Sequence, residues 1–504
     1  HNADGSISTI FDPMTTQLAT DGSGNYVRTP FPGNVIPASR LDTVGAKALA
    51  LYPQPTSSGD PVSNANNFAA PGQLVSNYYK LDTRIDWVKS ERYSLFGRIT
   101  KGWQEDGIPL FFKNGGDSTG GEKDPRFLAV IGQTFVPTPT WVINVLIGSG
   151  RWHEIDTTAS SAHDGTLVGL PLSVVNQLAI NTLPQFNVSG YAQIGNAEFV
   201  STVRESHNAQ VNASKQLRAH SIKFGFMAEI QRLNSLDESS AFFNFDRGLT
   251  SGPVASTDSS NSGNALASLL LGTGSSGNAP YNAALAMLQR NFAWYVQDTW
   301  HVTNRLTLTA GVRYEIQSPR TERYNRINYF ATQAVNPLSA QTGLDLKGGL
   351  VFDSSKQRGY WDGDYTNFAP RVSLAYKITD KLVFRSGYAI FDSTTAASTL
   401  AGTSDGFSTN TNWVSTVGGG GILPANLVSN PFPQGVNQPA GSSQGLLTEV
   451  GQSVNAFQRN HPTPYVASYS ADFQYNLGRS SIIEVGYTGT QGRKLLLGVS
   501  LNIN

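Results

Sequence analysis

The sequence predicts an all-β protein, an antiparallel transmembrane β-barrel present in part, with about twelve to fourteen strands and long loops on one rim. Three observations carry this expectation. Apolar and polar residues alternate along many segments, short and long connections alternate between those segments, and aromatic residues gather near the segment ends.

The alternation has a period of two, so each segment presents one apolar and one polar face, as a strand does. In chain order, Tyr79, Leu81, Ile85 and Trp87 oppose Lys80, Asp82, Arg84 and Asp86. Tyr93, Leu95 and Ile99 then oppose Arg92, Ser94, Arg98 and Thr100. Ile222, Phe224, Phe226 and Ile230 oppose Ser221, Lys223 and Glu229. The clearest case runs from Arg305 to Ile316, with Leu306, Leu308, Ala310, Val312, Tyr314 and Ile316 against Arg305, Thr307, Thr309, Gly311, Arg313 and Glu315. Val372, Leu374, Tyr376 and Ile378 oppose Arg371, Ser373 and Lys377, and Tyr469, Ala471, Phe473 and Tyr475 oppose Ser468, Ser470, Asp472 and Gln474.

Short hairpin connections are expected at 89–91, 136–140, 218–220, 303–305, 379–381 and 477–480. Between them lie long polar stretches, roughly 104–126, 156–200, 232–290, 317–366 and 392–464. A membrane barrel requires this strict alternation, because irregular backbone is excluded from hydrocarbon and the long segments must collect at one rim. Residues 1–75 read as an external loop region, and 76–504 as strands with short turns and long loops. Tyr78, Tyr79, Trp87, Tyr93, Trp103, Trp141, Trp152, Trp294, Trp300, Tyr314, Tyr376, Tyr388 and Tyr487 are expected in belts at the membrane interfaces.

Composition narrows the function classes. Lys plus Arg and Asp plus Glu are equal at 36 each, which gives no electrostatic footprint for a nucleic-acid partner. Zero Cys excludes disulfides, thiolate metal sites and a cysteine nucleophile. No apolar run is long enough for a membrane helix, and strands that alternate lipid-facing and lumen-facing residues do not need one. The chain opens at His1 without a charged, then apolar, leader, so a secretion signal is expected outside it. Gly272, Gly274 and Gly277 match a dinucleotide-loop spacing, but an apolar helix-like run precedes them where a strand is needed. Gly402, Ser404 and Gly406 match a nucleophile-elbow spacing inside a Ser/Thr/Gly loop. The seven His show no metal-ligand spacing. No catalytic residue, metal or cofactor is expected.

Four stretches carry a family resemblance. NFAWYVQDTW at 291–300 with HVTNRLTLTAGVRYE at 301–315, and NFAPRVSLAY at 367–376 with KLVFRSGYAIF at 381–391, resemble successive hairpins of TonB-dependent outer-membrane receptors. FDP at 11–13, PFPGNVIPASR at 30–40 and LYPQP at 51–55 are similar to a long external loop of the Oar-like subgroup, and GNALASLLLG at 263–272 to its short loop helix. The resemblance implies a 22-stranded barrel in a Gram-negative outer membrane, with lipid outside, an N-terminal plug inside and energy delivered by the TonB complex. The matched stretches correspond to a middle portion of such a barrel, with signal peptide, plug and C-terminal strands expected elsewhere. Two unpaired edges would then make the isolated segment aggregate or close imperfectly.

Two sets of candidate site residues follow. Asp82, Arg84, Asp86, Arg92, Arg98, Lys223, Glu229, Arg313, Glu315, Arg371 and Arg385 are expected on the lumen side, as ion pairs lining a wet interior and facing the plug. Trp361, Tyr365 and Trp413, with the glycine run at 418–421, are expected in loops that capture a nutrient; the rings would suit stacking on a sugar. The expected function is energy-coupled uptake of a large or scarce nutrient, an oligosaccharide being one candidate. The alternatives are a structural, adhesive or export-related Oar-like protein, and a soluble all-β carbohydrate-active enzyme with a carboxylate pair in a pocket.

Overall fold

The structure is a computed structural model and describes residues 5–255, 261–393, 404–418, 421–456, 459–478 and 480–497. Its main feature is one antiparallel sheet of twelve long strands joined in simple succession. These are β1 (Ser76–Ser90), β2 (Tyr93–Asp106), β3 (Gly120–Phe135), β4 (Trp141–Thr158), β5 (Glu198–Leu217), β6 (His220–Ser239), β7 (Leu285–His301), β8 (Leu306–Gln317), β9 (Phe368–Lys377), β10 (Leu382–Asp392), β11 (Tyr465–Gly478) and β12 (Ser481–Arg493). Each strand pairs with its sequence neighbour, a short strand at Thr321–Glu322 adds to β7, and β1 and β12 form the two free edges.

Hairpin turns and long connections alternate along the chain. The short turns fall at 91–92, 136–140, 218–219, 302–305, 378–381 and 479–480, with residue 479 outside the described residues. The long connections are shorter than the sequence suggests, because the strands run on. β5 and β6 reach Glu198 and Ser239, where Ser201, Thr202, Ser235 and Asp237 hide the apolar alternation. Strand ends that stand above the hydrocarbon need no apolar face, so the pairing continues where the period-two signal fades.

The register assigns every side chain to a face. Trp141, Lys215, Ile222, Asp298 and Ala310 form one row across β4–β8. Most rows on that face are apolar and ringed. At the short-turn end Trp87 meets Tyr93 (5.9 Å) and Trp141 meets Phe224 (6.1 Å). Toward the other end Tyr79 meets Trp103 (6.4 Å) and Trp294 meets Tyr314 (6.0 Å). Tyr78 and Trp152 depart from the expected belts. Their register partners, Gln104 and Arg204, place them on the polar face.

The long connections fold together instead of standing apart. A four-stranded sheet of Thr409–Asn412, Ser276–Tyr281, Phe242–Phe245 and Gln185–Val188 draws its strands from three different connections. Helix α1 (Thr43–Leu49) is capped by Asp42, whose carboxylate accepts from the Val44 and Gly45 N–H groups at 2.9 Å, and it crosses α2 (Ala265–Leu270). The crossing requires glycine at 45, since a Cβ there would lie 1.9 Å from the Leu269 carbonyl oxygen. Val44, Val168, Leu183, Phe186, Phe243, Leu269 and Val428 are fully buried or nearly so in a core that belongs to these connections alone. The first long strand opens at Ser76, and residues before it share this core with residues as distant as Phe432. These outer segments therefore form a folded cap.

Candidate functional site

The polar face of the sheet gathers Asp82, Arg84, Asp86, Arg98, Lys223, Glu229, Arg313, Glu315, Arg371 and Arg385, most of them in register with polar or small residues on their neighbours, with Asp86 opposite Phe96 and Arg98 opposite Val130. Arg92 is not among them. It occupies the β1–β2 turn, where its N–H donates to Ser90 Oγ (3.2 Å) and its carbonyl accepts from Val136 N–H (2.7 Å), because the hairpin is tighter than expected. Arg98 grips Asp82 with a two-pronged contact across β1 and β2, Arg84 does the same to Asp86 along its own strand (2.7 and 2.8 Å), and Arg313 pairs with Glu315. Glu229 accepts from Ser206 Oγ (2.9 Å) and Asn291 Nδ2 (3.2 Å).

Sequence reasoning missed the most organised group on this face. Trp152 on β4 lies between the guanidinium groups of Arg204 (4.6 Å) and Arg126 (5.3 Å) and donates its indole N–H to Asp124 at 3.0 Å. Asp124 also holds Arg126 (2.6 Å), and Glu154 holds Arg204 (2.6 Å). A ring beside two cations, each balanced by its own carboxylate, is held in place by stacking and charge together. Its signal was Asp124 and Arg126 alternating with Lys123 and Phe127, a stretch assigned to a loop.

Across β7–β11 the same face is lower in relief. A depression of about 280 Å³ is lined by Gln297, Thr309, Arg371, Ser373, Ser468 and Ser470. A neighbouring one of about 300 Å³ is lined by Thr307, Arg385, Gly387 and Asp472. Gly387 keeps the floor open between Ser373 and Ser470, whose nearest atoms lie 3.7 Å from where its Cβ would be. Arg371 leans on the Phe391 ring at 4.8 Å. The donors and acceptors here suit a hydrated solute or a polar protein surface, and nothing in the arrangement pairs a nucleophile with a base.

In the cap, two of the three expected capture aromatics are core residues. Trp413 is 4% exposed, packs edge-on to Phe243 (5.3 Å) and against Phe245 (5.8 Å), and donates its indole N–H to the Asn426 carbonyl at 3.0 Å. Trp361 is 5% exposed, beside Tyr360 (5.9 Å), His461 (5.8 Å) and the Arg320 guanidinium (5.8 Å). Large rings bury the most apolar area of any side chain, and a cap built of long connections needs such anchors. Tyr365 alone is exposed, at 58%. The dinucleotide-like glycines are explained by the same packing. Gly272 takes a left-handed φ of +69° after α2, and Gly274 and Gly277 seat Trp413, whose ring would lie 2.2 and 3.0 Å from their added Cβ atoms. Residues 402–403 of the elbow-like motif and 419–420 of the glycine run lie outside the described residues.

Parts of the cap are linked to one another by Arg28, which is buried. Its guanidinium donates to the carbonyls of Gly248 (2.7 Å), Ser251 (3.0 Å) and Ile422 (2.7 Å) and to Thr16 Oγ1 (2.9 Å), and burial brings its pKa down to about 10. The motifs at 11–13 and 30–40 meet nearby, where Arg40 clasps the Asp12 carboxylate with both terminal nitrogens (2.5 and 2.8 Å).

All of residues 1–504 match a single family model, described as the outer membrane beta barrel domain. The chain belongs to that family. The apolar, ring-bordered face of this outer-membrane barrel chain is accordingly its lipid face, its polar face looks to the lumen, and its place is the outer membrane of a Gram-negative bacterium. That membership sets aside a soluble carbohydrate-active enzyme. No match was found among curated proteins. Among solved structures the chain is similar to the copper transporter OprC (10% identity, TM-score 0.41, covering 80% of this chain and 43% of that one). It is also similar to the ferric yersiniabactin uptake receptor FyuA from Yersinia pestis (8%, 0.40, 84% and 46%). A third is the ferric citrate transporter FecA (10%, 0.38, 83% and 47%). The chain spans about half the length of the solved structures it matches.

Proposed function

We propose that this chain is barrel wall and outer cap of a TonB-dependent receptor of the Oar-like kind, serving energy-coupled uptake of a large or scarce nutrient. The observation that supports this best is the division of labour across one sheet. One face is apolar and bordered by rings, the other carries polar and charged residues from Asp82 to Asp472 with a few apolar ones such as Phe96 and Val130 among them, and a folded cap stands at the long-loop end. A polar wall of this extent suits contact with a plug domain and with a hydrated solute moving past it. The paired charges of β1–β2 and the Trp152 group would meet the plug, and the depressions at Arg371 and Arg385 would border the path.

The oligosaccharide reading rested on three aromatics. With both indoles in the core, its remaining support is Tyr365, and the nutrient class is carried here no further than a polar solute too large to diffuse through a general pore. The test is growth of the native bacterium on single polymeric or chelated nutrients, comparing the parent with strains lacking this gene or the gene for TonB. Loss of the same nutrient in both strains supports the reading. Uptake that needs this gene but not TonB would favour the structural or export-related alternative.

A further inference from the structure

Four neighbouring strands, β4–β7, break the pattern of the lipid face at a single height. Between the inner-rim residues Trp141, Lys215, His220 and Asp298 and the outer row, that face carries no Lys, Arg, Asp or Glu. The next charges outward are Arg151, Glu205, Arg232 and Arg290. They stand ten residues beyond Trp141, twelve before Leu217, twelve beyond His220 and eleven before His301, each measured from the short-turn end of its own strand. At the usual rise and a tilt of 35–45°, that is roughly 23–33 Å along the membrane normal, a span that brackets the thickness of a barrel's apolar band. A lipid-facing arginine is costly at the bilayer centre and tolerated at the interface, so these four residues mark the outer headgroup level.

Their charges do not cancel. Glu205, largely covered, lies between Arg151 (2.6 Å) and Arg232 (3.6 Å), whose side chains remain 53% and 52% exposed. Arg290 is exposed, sits diagonally from Arg232 on the adjacent strand, and makes no ion pair among the described residues. One row inward, His207 is engaged with Ser149 Oγ at 2.9 Å. Three guanidinium groups thus face outward against one carboxylate, and that carboxylate spaces two of them across alternate strands. The planar fork of arginine matches phosphate oxygens in pairs.

We propose that Arg151, Arg232 and Arg290 form a binding site for the phosphate groups of outer-leaflet lipids, holding phosphorylated glycolipid against β4–β7. The site is separate from the polar face and stands whether or not the transport reading does.

The test uses the full-length protein extracted from outer membranes, with bound lipid counted by native mass spectrometry during titration with diphosphorylated lipid A or its dephosphorylated form. Each Arg→Gln change is expected to weaken binding of the phosphorylated lipid about fivefold, and R151Q/R232Q/R290Q roughly a hundredfold, while the triple Arg→Lys variant keeps most of it. Arg371→Gln on the polar face should have no effect. If the triple variant does not fold, as judged by heat-dependent gel mobility, Arg290→Gln decides alone, since it breaks no ion pair. Equal binding by the Gln variants, equal binding of the dephosphorylated lipid, or displacement by equimolar inorganic phosphate would each overturn the proposal.

Discussion

Replacing Trp413 with alanine should unfold the cap and spare the sheet. The indole packs against Phe243 and Phe245 and is seated over Gly274 and Gly277. Truncating a buried Trp costs about 3–5 kcal/mol, and the upper half applies here. The edge-on contact with Phe243 is lost, and the Asn426 carbonyl loses its donor inside the core. A cap assembled from separate connections holds together by this core and has little stability in reserve, so about 4–5 kcal/mol should suffice to open it. Hydrogen exchange read by mass spectrometry on the protein in detergent would show loss of protection at 185–188, 242–245 and 276–281, with β3–β8 unchanged. Unchanged protection in those three segments would refute the argument, because it would mean that the core does not depend on its largest member.

Arg28→Met should loosen the same cap from the other side. It removes the guanidinium donor from the carbonyls of Gly248, Ser251 and Ile422, at about 1–3 kcal/mol for a buried acceptor left unpaired, and protease cleavage near 248–255 should rise at least tenfold. Tyr365→Ala should leave the fold untouched, since the contact this residue gives Tyr314 uses its backbone carbonyl (3.0 Å), so any loss of nutrient capture would report binding directly. Burial beside Glu449 pushes the Asp405 carboxyl up to about 6 from an ordinary 3.8. Because the folded pKa is the higher, the stabilising contribution is full below about pH 4 and is lost as pH rises through 6. Asp405→Asn should remove that slope from cap exchange rates measured between pH 4 and 7. Gly132→Val should disturb the β2–β3 pairing, because the Phe96 ring lies flat over Gly132 and a Cβ would come within 2.1 Å of it. A lowered temperature for the heat-induced gel shift is the expected sign.

The sheet was legible because a lipid-facing strand must be apolar at every second residue, and sequence records that constraint directly. Leu306 to Ile316 shows it without a gap. The constraint stops at the headgroups. Asp124, Trp152 and Arg204 belong to strands whose outer halves look like polar loop, so the best-built group of the polar face stayed hidden. The cap was illegible for a different reason. Val44, Phe186, Phe243, Leu269 and Trp413 come from five distant stretches, each too short to show a period, and only three-dimensional closure makes them neighbours. A tryptophan in a long polar segment therefore reads as an exposed capture residue when its role is to hold the segment shut.

That reversal bears on how a solute would enter. If the outer connections were free loops, each aromatic could act as an independent contact, and removing one would weaken capture slightly. A cap with its own core behaves as one body, and its connections leave the strand ends together. The chain from 240 to 284 passes from β6 through the small cap sheet to β7, and 404 to 456 adds the opposite edge of that sheet between β10 and β11. Shifting any one of these connections moves the others, because Phe243, Ala279, Trp413 and Phe432 share contacts across them. Moving any part of the cap aside therefore requires either a rigid displacement of the whole cap or loss of its core. The two routes separate experimentally: a displacement leaves exchange at Phe243 and Trp413 slow and the Arg28 bonds within the cap intact, whereas loss of the core exposes all of them at one rate.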